Sequence, residues 1–200
     1  MRRQPSDTLP MASPSNSYPR GTALRYTGTA IVLHWLLALM IVGAFGVGLY
    51  MNELPVSPTR LKLFSWHKWA GVTILALSGL RLLWRLAHRP PAHLPMPAWQ
   101  AQAVRITHGL LYALFFAVPL AGWAYSSAAG FPVVWFGVLP LPDFVPVDKA
   151  LAETFKSLHG NLAWGLAIAV GLHVAGVAKH HWIDRDGLIN RMRPGRRRAA

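Results

Sequence analysis

The chain contains no cysteine among its 200 residues. Disulfides, thiolate metal sites and covalent attachment of a cofactor through a Cys-x-x-Cys-His motif are therefore excluded. Charge is also scarce, because charged residues make up 14% of the chain and hydrophobic residues 53%. The first 25 residues lack the apolar stretch of a cleavable signal peptide, and their Pro- and Ser-rich composition predicts a disordered tail over residues 1–25.

The charge that is present is mostly positive. Twenty Lys and Arg residues against seven Asp and Glu residues give a formal net charge of +13. Taken alone, such an excess could serve nucleic-acid phosphates, anionic lipid or membrane topology. Combined with the apolar composition, it favours a membrane protein with charged margins over a soluble nucleic-acid-binding protein.

Four segments approach the roughly 20 apolar residues needed to cross a bilayer. They predict an all-α, integral membrane four-helix bundle over residues 26–185, followed by a basic tail over residues 186–200. The helices are expected at about 27–51, 64–86, 104–126 and 157–181. A further apolar stretch, "FPVVWFGVLPLPDFVPV", is broken up by prolines. We assign it to the outer surface, either lying on the membrane or capping the bundle.

The distribution of basic residues predicts the orientation of this bundle. Fifteen of the 20 Lys and Arg residues fall in the two termini and in the margin over residues 81–105, which four spans place on one side. The positive-inside rule therefore predicts that both termini are cytoplasmic.

Five histidines lie in the predicted spans, at two depths. His67 and His159 belong to the outer side, and His34, His108 and His173 to the cytoplasmic side. His159 and His173 are fourteen residues apart on one helix, which is a rise of about 21 Å and a rotation about 40° short of four full turns. The two rings therefore share a face at opposite depths. Depth pairs His67 with His159, and His173 with either His34 or His108.

A single buried histidine in an apolar helix is most often a hydrogen-bonded structural residue. Five of them at matched depths indicate function, because polar side chains are costly inside a membrane. A zinc or copper site needs three or four close ligands, and no nearby acidic or sulfur ligand completes either level. Two opposed imidazoles suit haem iron, which keeps two axial positions open.

Small and basic residues surround these levels. Glycines offer flat surfaces for a macrocycle or, equally, for close helix packing: Gly43, Gly46, Gly48, Gly71, Gly160, Gly165, Gly171 and Gly176. Basic side chains at the rims are candidate contacts for haem propionates, with lipid phosphate or topology as the alternative for each one: Arg81, Arg85 and Arg105 on the cytoplasmic side, Lys68 and Lys156 on the outer side.

Four segments of the chain resemble, in order, the four helices of the bacterial cytochrome b561 family: "YTGTAIVLHWLLAL", "WHKWAGVTILALSGLRLLWRL", "THGLLYALFFAVPLAGW" and "LHGNLAWGLAIAVGLHVAGVAKHHW". The resemblance covers about residues 25 to 195. It implies a multi-pass protein of the bacterial inner membrane with two b haems. It also implies the axial pairs His34 with His173 and His67 with His159, a choice over His108 that depth leaves open.

The resemblance also implies a function. Family members exchange electrons with ubiquinone, and some oxidise superoxide on the periplasmic side, so we expect a dihaem electron-transfer cytochrome or a superoxide:ubiquinone oxidoreductase. The alternatives are a cytochrome b subunit that anchors a hydrogenase or other dehydrogenase, and a non-redox ion or metal transporter. Positive charge on the outer side would attract an anionic donor: Arg60, Lys62, Lys68, Lys149 and Lys156. His108 or an interfacial arginine could meet the polar end of a quinone.

Overall fold

The computed structural model describes residues 25–92 and 96–195. Its main elements are four long helices: α1 (Gly28–Glu53), α2 (Pro58–Ala87), α3 (Ala98–Ala128) and α4 (Lys149–Lys179). Each is long and apolar enough to cross a membrane by length and composition, since even the 26 residues of α1 span about 39 Å against a hydrocarbon core of about 30 Å. The predicted all-α membrane bundle is confirmed. Nearly all of the predicted N-terminal tail and residues 196–200 lie outside the described residues.

Three helices begin earlier than their apolar segments indicate. Helix α2 begins at Pro58 rather than at about 64, because the Ser57 side chain accepts a hydrogen bond from the Arg60 N–H and proline fits the first turn. Helix α4 begins at Lys149 rather than at about 157, where Asp148 accepts from the Leu151 N–H. Helix α3 begins at Ala98 rather than at about 104. The outer histidines therefore lie more than two turns inside their helices instead of at the first turn.

The four helices form a bundle in which the backbones of α1 and α4 do not pack against each other. Helix α3 packs along α4, α1 packs along α2, and α2 also contacts α3. A cluster of Leu111, Leu114, Leu166 and Ala169 fills the α3–α4 contact. Among the described residues, the backbone of α4 hardly approaches α1 or α2. Side chains bridge this space instead, as where the rings of Phe45 and Trp164 lie 5.2 Å apart.

The outward faces of the helices are apolar. Leu39 and Val42 of α1, for example, are 71% and 65% exposed. Lipid tails would cover such side chains without cost, and the helical hydrogen bonds satisfy the backbone behind them. The exposed surface therefore agrees with a membrane-embedded bundle.

The proline-rich segment after α3 covers one end of the bundle. It forms a small antiparallel hairpin of β1 (Val134–Trp135) and β2 (Leu139–Pro140). The Lys68 ammonium group donates to Ser126 Oγ, Phe131 O and Pro132 O at 3.2, 3.2 and 3.3 Å. The indole of Trp69 donates to Val134 O at 2.6 Å. Of the two predicted placements, the segment thus caps the bundle and is anchored to α2.

The described part of the predicted basic tail folds against the opposite end. Helix α4 continues into a π-helical turn (His180–Asp184) and then a 3₁₀ turn (Leu188–Arg191). The Trp35 indole donates to Met192 O at 2.8 Å, and the Arg191 guanidinium donates to Ala92 O at 2.6 Å. The described ends of the chain therefore meet on one side of the bundle. Which side of a membrane that is stays a prediction.

We expect Lys68→Met to lower the free energy of unfolding by about 1–3 kcal/mol, because the three hydrogen bonds that its ammonium group donates to Ser126, Phe131 and Pro132 would be lost. The melting temperature of the purified protein, followed by tryptophan fluorescence, measures this effect. Lys62→Met is the control, since the Lys62 ammonium lies on the helix surface over the Trp66 ring and its loss should have little effect. Equal melting temperatures for the two variants would contradict the anchoring role of Lys68.

Candidate functional site

The outer pair of histidines is brought together by α2 and α4. The ring centres of His67 and His159 lie 5.9 Å apart, with the ring planes at 89°. Two imidazoles on opposite sides of one metal, each bound through a nitrogen at about 2 Å, have ring centres about 6 Å apart. The separation in the bundle therefore suits two axial ligands of one haem iron.

Backbone carbonyls fix the orientation of both rings. Nδ1 of His67 lies 3.1 Å from Ala44 O, and Nδ1 of His159 lies 2.9 Å from Val118 O. A carbonyl oxygen only accepts, so each ring must carry its proton on Nδ1 and donate it there. This leaves the Nε2 lone pair available to a metal, which is how metal-binding histidines are commonly held in place.

Two glycines allow these close approaches. A Cβ atom at Gly48 would lie 3.2 Å from the His67 ring, and one at Gly122 would lie 2.9 Å from the His159 ring. Gly48 is four residues after Ala44, and Gly122 is four residues after Val118, so each glycine lies one turn beyond the accepting carbonyl. A side chain at either position would displace the histidine. Gly122 was not among the residues predicted from the sequence.

A cavity of about 350 Å³ adjoins the outer pair and is lined by both rings. Most of its wall is apolar, with Met51, Leu75 and Trp123 among the contributors. Gly71 also lines it, and a Cβ atom there would meet nothing within 4 Å. The cavity is walled mainly by α2 and α3, and α4 contributes His159. The two imidazoles, the missing side chain at Gly71 and the apolar lining together fit a planar macrocycle bound by His67 and His159.

Three histidines meet at the inner level. The ring centres of His34 and His173 are 6.2 Å apart, and those of His108 and His173 are 5.3 Å apart. The His34 separation is the closer match to the roughly 6 Å expected across a metal. Nδ1 of His108 lies 2.8 Å from Val104 O within its own helix. Distance thus favours His34 as the partner of His173, and that pairing stays a prediction.

The two levels are related by a spacing of fourteen residues in every helix. The outer level contains Gly48, His67, Gly122 and His159, and fourteen residues away along each helix the inner level contains His34, Arg81, His108 and His173. Fourteen residues return to nearly the same helix face about 21 Å away. This common offset is the sequence signal that could have identified Gly122, because Gly122 follows His108 by the same interval.

The predicted rim residues differ in their surroundings. Arg81 donates to Ala30 O at 3.2 Å, one turn before His34 in α1. The Arg85 guanidinium lies over the Tyr112 ring at 5.7 Å, and Arg105 is exposed on α3. On the outer side, Lys68 already donates to Ser126 Oγ of α3 and to two carbonyl oxygens of the hairpin segment.

The remaining rim candidate, Lys156, is largely exposed. Its ammonium group lies 3.9 Å from a Glu153 carboxylate oxygen, and the two side chains are 57% and 66% exposed. An exposed ion pair of this kind contributes little to stability. Of all the predicted rim residues, Arg81 is therefore the one with the clearest structural link to a histidine level.

Potential metal ligands also gather after α4, where His180, Asp184 and Asp186 approach one another. The Lys179 ammonium already binds both Asp184 carboxylate oxygens at 2.9 and 2.6 Å. Nδ1 of His180 lies 2.6 Å from an Asp186 oxygen. Burial acts to raise the pKa of Asp186, but the Leu188 N–H and His180 hold that pKa below its usual value. The carboxylates of this cluster are therefore already hydrogen-bonded by Lys179 and His180, and these contacts stabilise the end of the helix.

Comparison with known proteins agrees with this geometry. The sequence profile of the family described as prokaryotic cytochrome b561 matches residues 25–195. "Cytochrome b561 homolog 2" of Escherichia coli (strain K12) is 33% identical over 175 residues, covering 86% of this chain and 92% of the relative.

Two further relatives match over similar lengths. "Cytochrome b561 homolog 1" of the same organism is 29% identical over 177 residues, covering 86% of this chain and 99% of the relative. "Probable superoxide oxidase CybB" of Yersinia pestis is 29% identical over 175 residues, covering 86% of this chain and 98% of the relative. Each of the three alignments is long enough to include all four helices.

We expect Gly122→Ala to reduce haem binding at the outer level, because the new methyl group would lie 2.9 Å from the His159 ring. If each histidine level binds one haem, the haem bound per polypeptide, measured as the pyridine haemochrome, should fall towards half. Gly109→Ala is the matched control on α3, where a Cβ atom meets nothing within 4 Å. Full haem content in both variants would contradict the need for a bare backbone at Gly122.

Proposed function

The chain belongs to the prokaryotic cytochrome b561 family, and on that premise we propose that it is a dihaem superoxide:ubiquinone oxidoreductase. Family membership and the four membrane-capable helices indicate that the chain is a b-type cytochrome of a bacterial membrane that transfers electrons. The proposal adds the number of haems, the axial residues, the donor and the acceptor. It also adds a location in the inner membrane with cytoplasmic termini.

The observation that carries the proposal is the pairing of imidazoles at two depths of one bundle. His67 with His159 and His34 with His173 have ring separations of 5.9 and 6.2 Å, which suit two axial pairs. Haem b, when bound, supplies an iron that gains and loses single electrons. An iron bound by both histidines of a pair would have no coordination position left for a substrate, so these residues favour outer-sphere electron transfer over oxygen binding.

The proposed overall reaction balances in electrons and atoms. Two superoxide anions each lose one electron and become two molecules of O₂. One ubiquinone gains those two electrons and two protons and becomes ubiquinol. His67 and His159 would bind the outer haem and take no part in the proton transfer, since their Nδ1–H groups are committed to Ala44 O and Val118 O.

Basic residues near the outer cavity support an anionic donor. Arg60 and Lys62 flank Leu61, which lines the cavity beside His67. Positive charge at the entrance to a low-dielectric site raises the local concentration of an anion and its rate of encounter. The name of the Yersinia pestis relative, a probable superoxide oxidase, supports the same donor. The proposed acceptor rests on the family resemblance.

Histidine substitutions test the two axial pairs. His159→Leu should remove the outer haem and leave the inner one, and His34→Leu should do the reverse, because each leaves an iron with one imidazole. His108→Leu is the control and should retain both haems. Haem content and reduced-minus-oxidised spectra of each variant measure the outcome. Loss of the inner haem in His108→Leu, with retention in His34→Leu, would assign His108 as the ligand instead.

Stopped-flow mixing tests the donor and the acceptor. Superoxide should reduce the haems of the reconstituted protein, and added ubiquinone should then reoxidise them. The Arg60→Gln/Lys62→Gln variant should show a lower rate of reduction and a weaker dependence of that rate on salt, because electrostatic steering is screened by ions. A protein whose haems stay oxidised in superoxide would refute the proposed donor and favour a cytochrome subunit that serves a dehydrogenase.

A further inference from the structure

A second, smaller cavity lies where α1 begins and α2 ends, on the side opposite the hairpin. Five basic side chains contribute to its lining: Arg25, Arg81, Arg85, His88 and Arg89. Its volume is about 70 Å³, which leaves room for a group of a few heavy atoms, since a water molecule occupies about 30 Å³ in the liquid. The cavity is too small for a porphyrin, and none of the five membrane histidines lines it. We refer to it as the arginine pocket.

The walls of the arginine pocket are fixed by contacts between distant parts of the chain. The Trp84 indole donates to Thr27 Oγ1 at 2.9 Å, which joins the end of α2 to the start of α1. The His88 ring stacks on Trp84, with ring centres 3.9 Å apart and planes at 11°. Met192, which also lines the pocket, accepts from the Trp35 indole. These contacts fix the shape of the surface on which the basic groups lie.

The positive charge of the pocket is not neutralised by the described residues. No acidic residue lines it, and within residues 25–92 and 96–195 none of its arginines forms an ion pair. Nε of Arg25 is buried and has no hydrogen-bond partner. A buried donor without a partner is costly, and several uncompensated guanidinium groups in one place repel one another. Both features point to an anionic occupant.

We propose that the arginine pocket binds a phosphate group. Guanidinium groups donate two parallel hydrogen bonds to phosphate oxygens, and their planar geometry suits such an anion. The pocket also lies at the ends of membrane helices, which is the level of lipid headgroups, and basic pockets between such helices bind anionic lipids. The phosphate can come from an anionic lipid headgroup or from a soluble phosphate, and the experiment below separates these two sources.

The test compares melting temperatures of the full chain, followed by tryptophan fluorescence. One arm uses nanodiscs of phosphatidylcholine with or without phosphatidylglycerol or cardiolipin. The other uses detergent with inorganic phosphate or chloride at equal ionic strength, because non-specific screening is then the same. An occupied site should raise the melting temperature by about 2–4 °C or more. A rise only with anionic lipid assigns a headgroup, and a rise with inorganic phosphate assigns a soluble ligand.

Three double variants make the test specific to the pocket. Arg25→Gln/Arg89→Gln should abolish the rise, and neither residue belongs to the proposed haem sites. Arg185→Gln/Arg193→Gln removes the same charge from exposed residues on the same side and should keep the rise. Arg25→Lys/Arg89→Lys retains the charge without the planar group and should give an intermediate rise, which shows that loss in the Gln variant is not misfolding.

Three results would overturn the proposal. They are the absence of any rise in the parent protein, an equal rise in Arg25→Gln/Arg89→Gln, and loss of haem from that variant with an unchanged lipid response. The last result would assign the pocket to haem carboxylates. The readout needs neither haem reduction nor superoxide, so the proposed oxidoreductase activity and the phosphate site can fail independently.

Discussion

A histidine ring inside a membrane bundle has two nitrogen atoms to satisfy, and hydrocarbon satisfies neither. At the outer level the backbone satisfies one of them, because Ala44 O and Val118 O each accept from an Nδ1–H group. These carbonyls belong to helices, so they accept the ring with a second lone pair. The ring reaches that oxygen because glycine, one turn further on, leaves it uncovered. The carbonyl oxygen and the bare glycine together fix the orientation of each ring, so that Nε2 points away from the helix that supplies the carbonyl.

The membrane fold was predictable from the chain because charge is absent from long stretches of it. The depth of each histidine also followed, since fixing the direction of four spans places His67 beside His159 and leaves either His34 or His108 beside His173. The sequence alone did not reveal which glycines the rings approach. In a helix a glycine such as Gly122 is equally typical of close packing, and only the 2.9 Å that would separate a Cβ atom there from the His159 ring distinguishes the two roles. The starts of α2 and α4 were missed because capping by Ser57 and Asp148 extends them beyond their apolar segments.

The two ends of the bundle are closed by different kinds of interaction. At the outer end an apolar hairpin segment is held on α2 by Lys68 and Trp69, which donate to carbonyl oxygens of that segment. At the other end the C-terminal segment lies against α1 and the residues that follow α2, and basic side chains remain without carboxylate partners among the described residues. Lys68 therefore serves the packing of the outer end, although its position beside His67 made it a candidate for a cofactor contact.

The common interval of fourteen residues limits how such a bundle can change over time. Inserting one residue between the levels of a single helix would turn everything beyond it by about 100° and shift it by about 1.5 Å. In α4 that change would rotate His173 away from His34 while leaving His159 in place. A tolerated change of length would have to occur in all four helices together. We therefore expect relatives to differ between the two levels by substitutions, and to differ in length only in the loops and termini outside them.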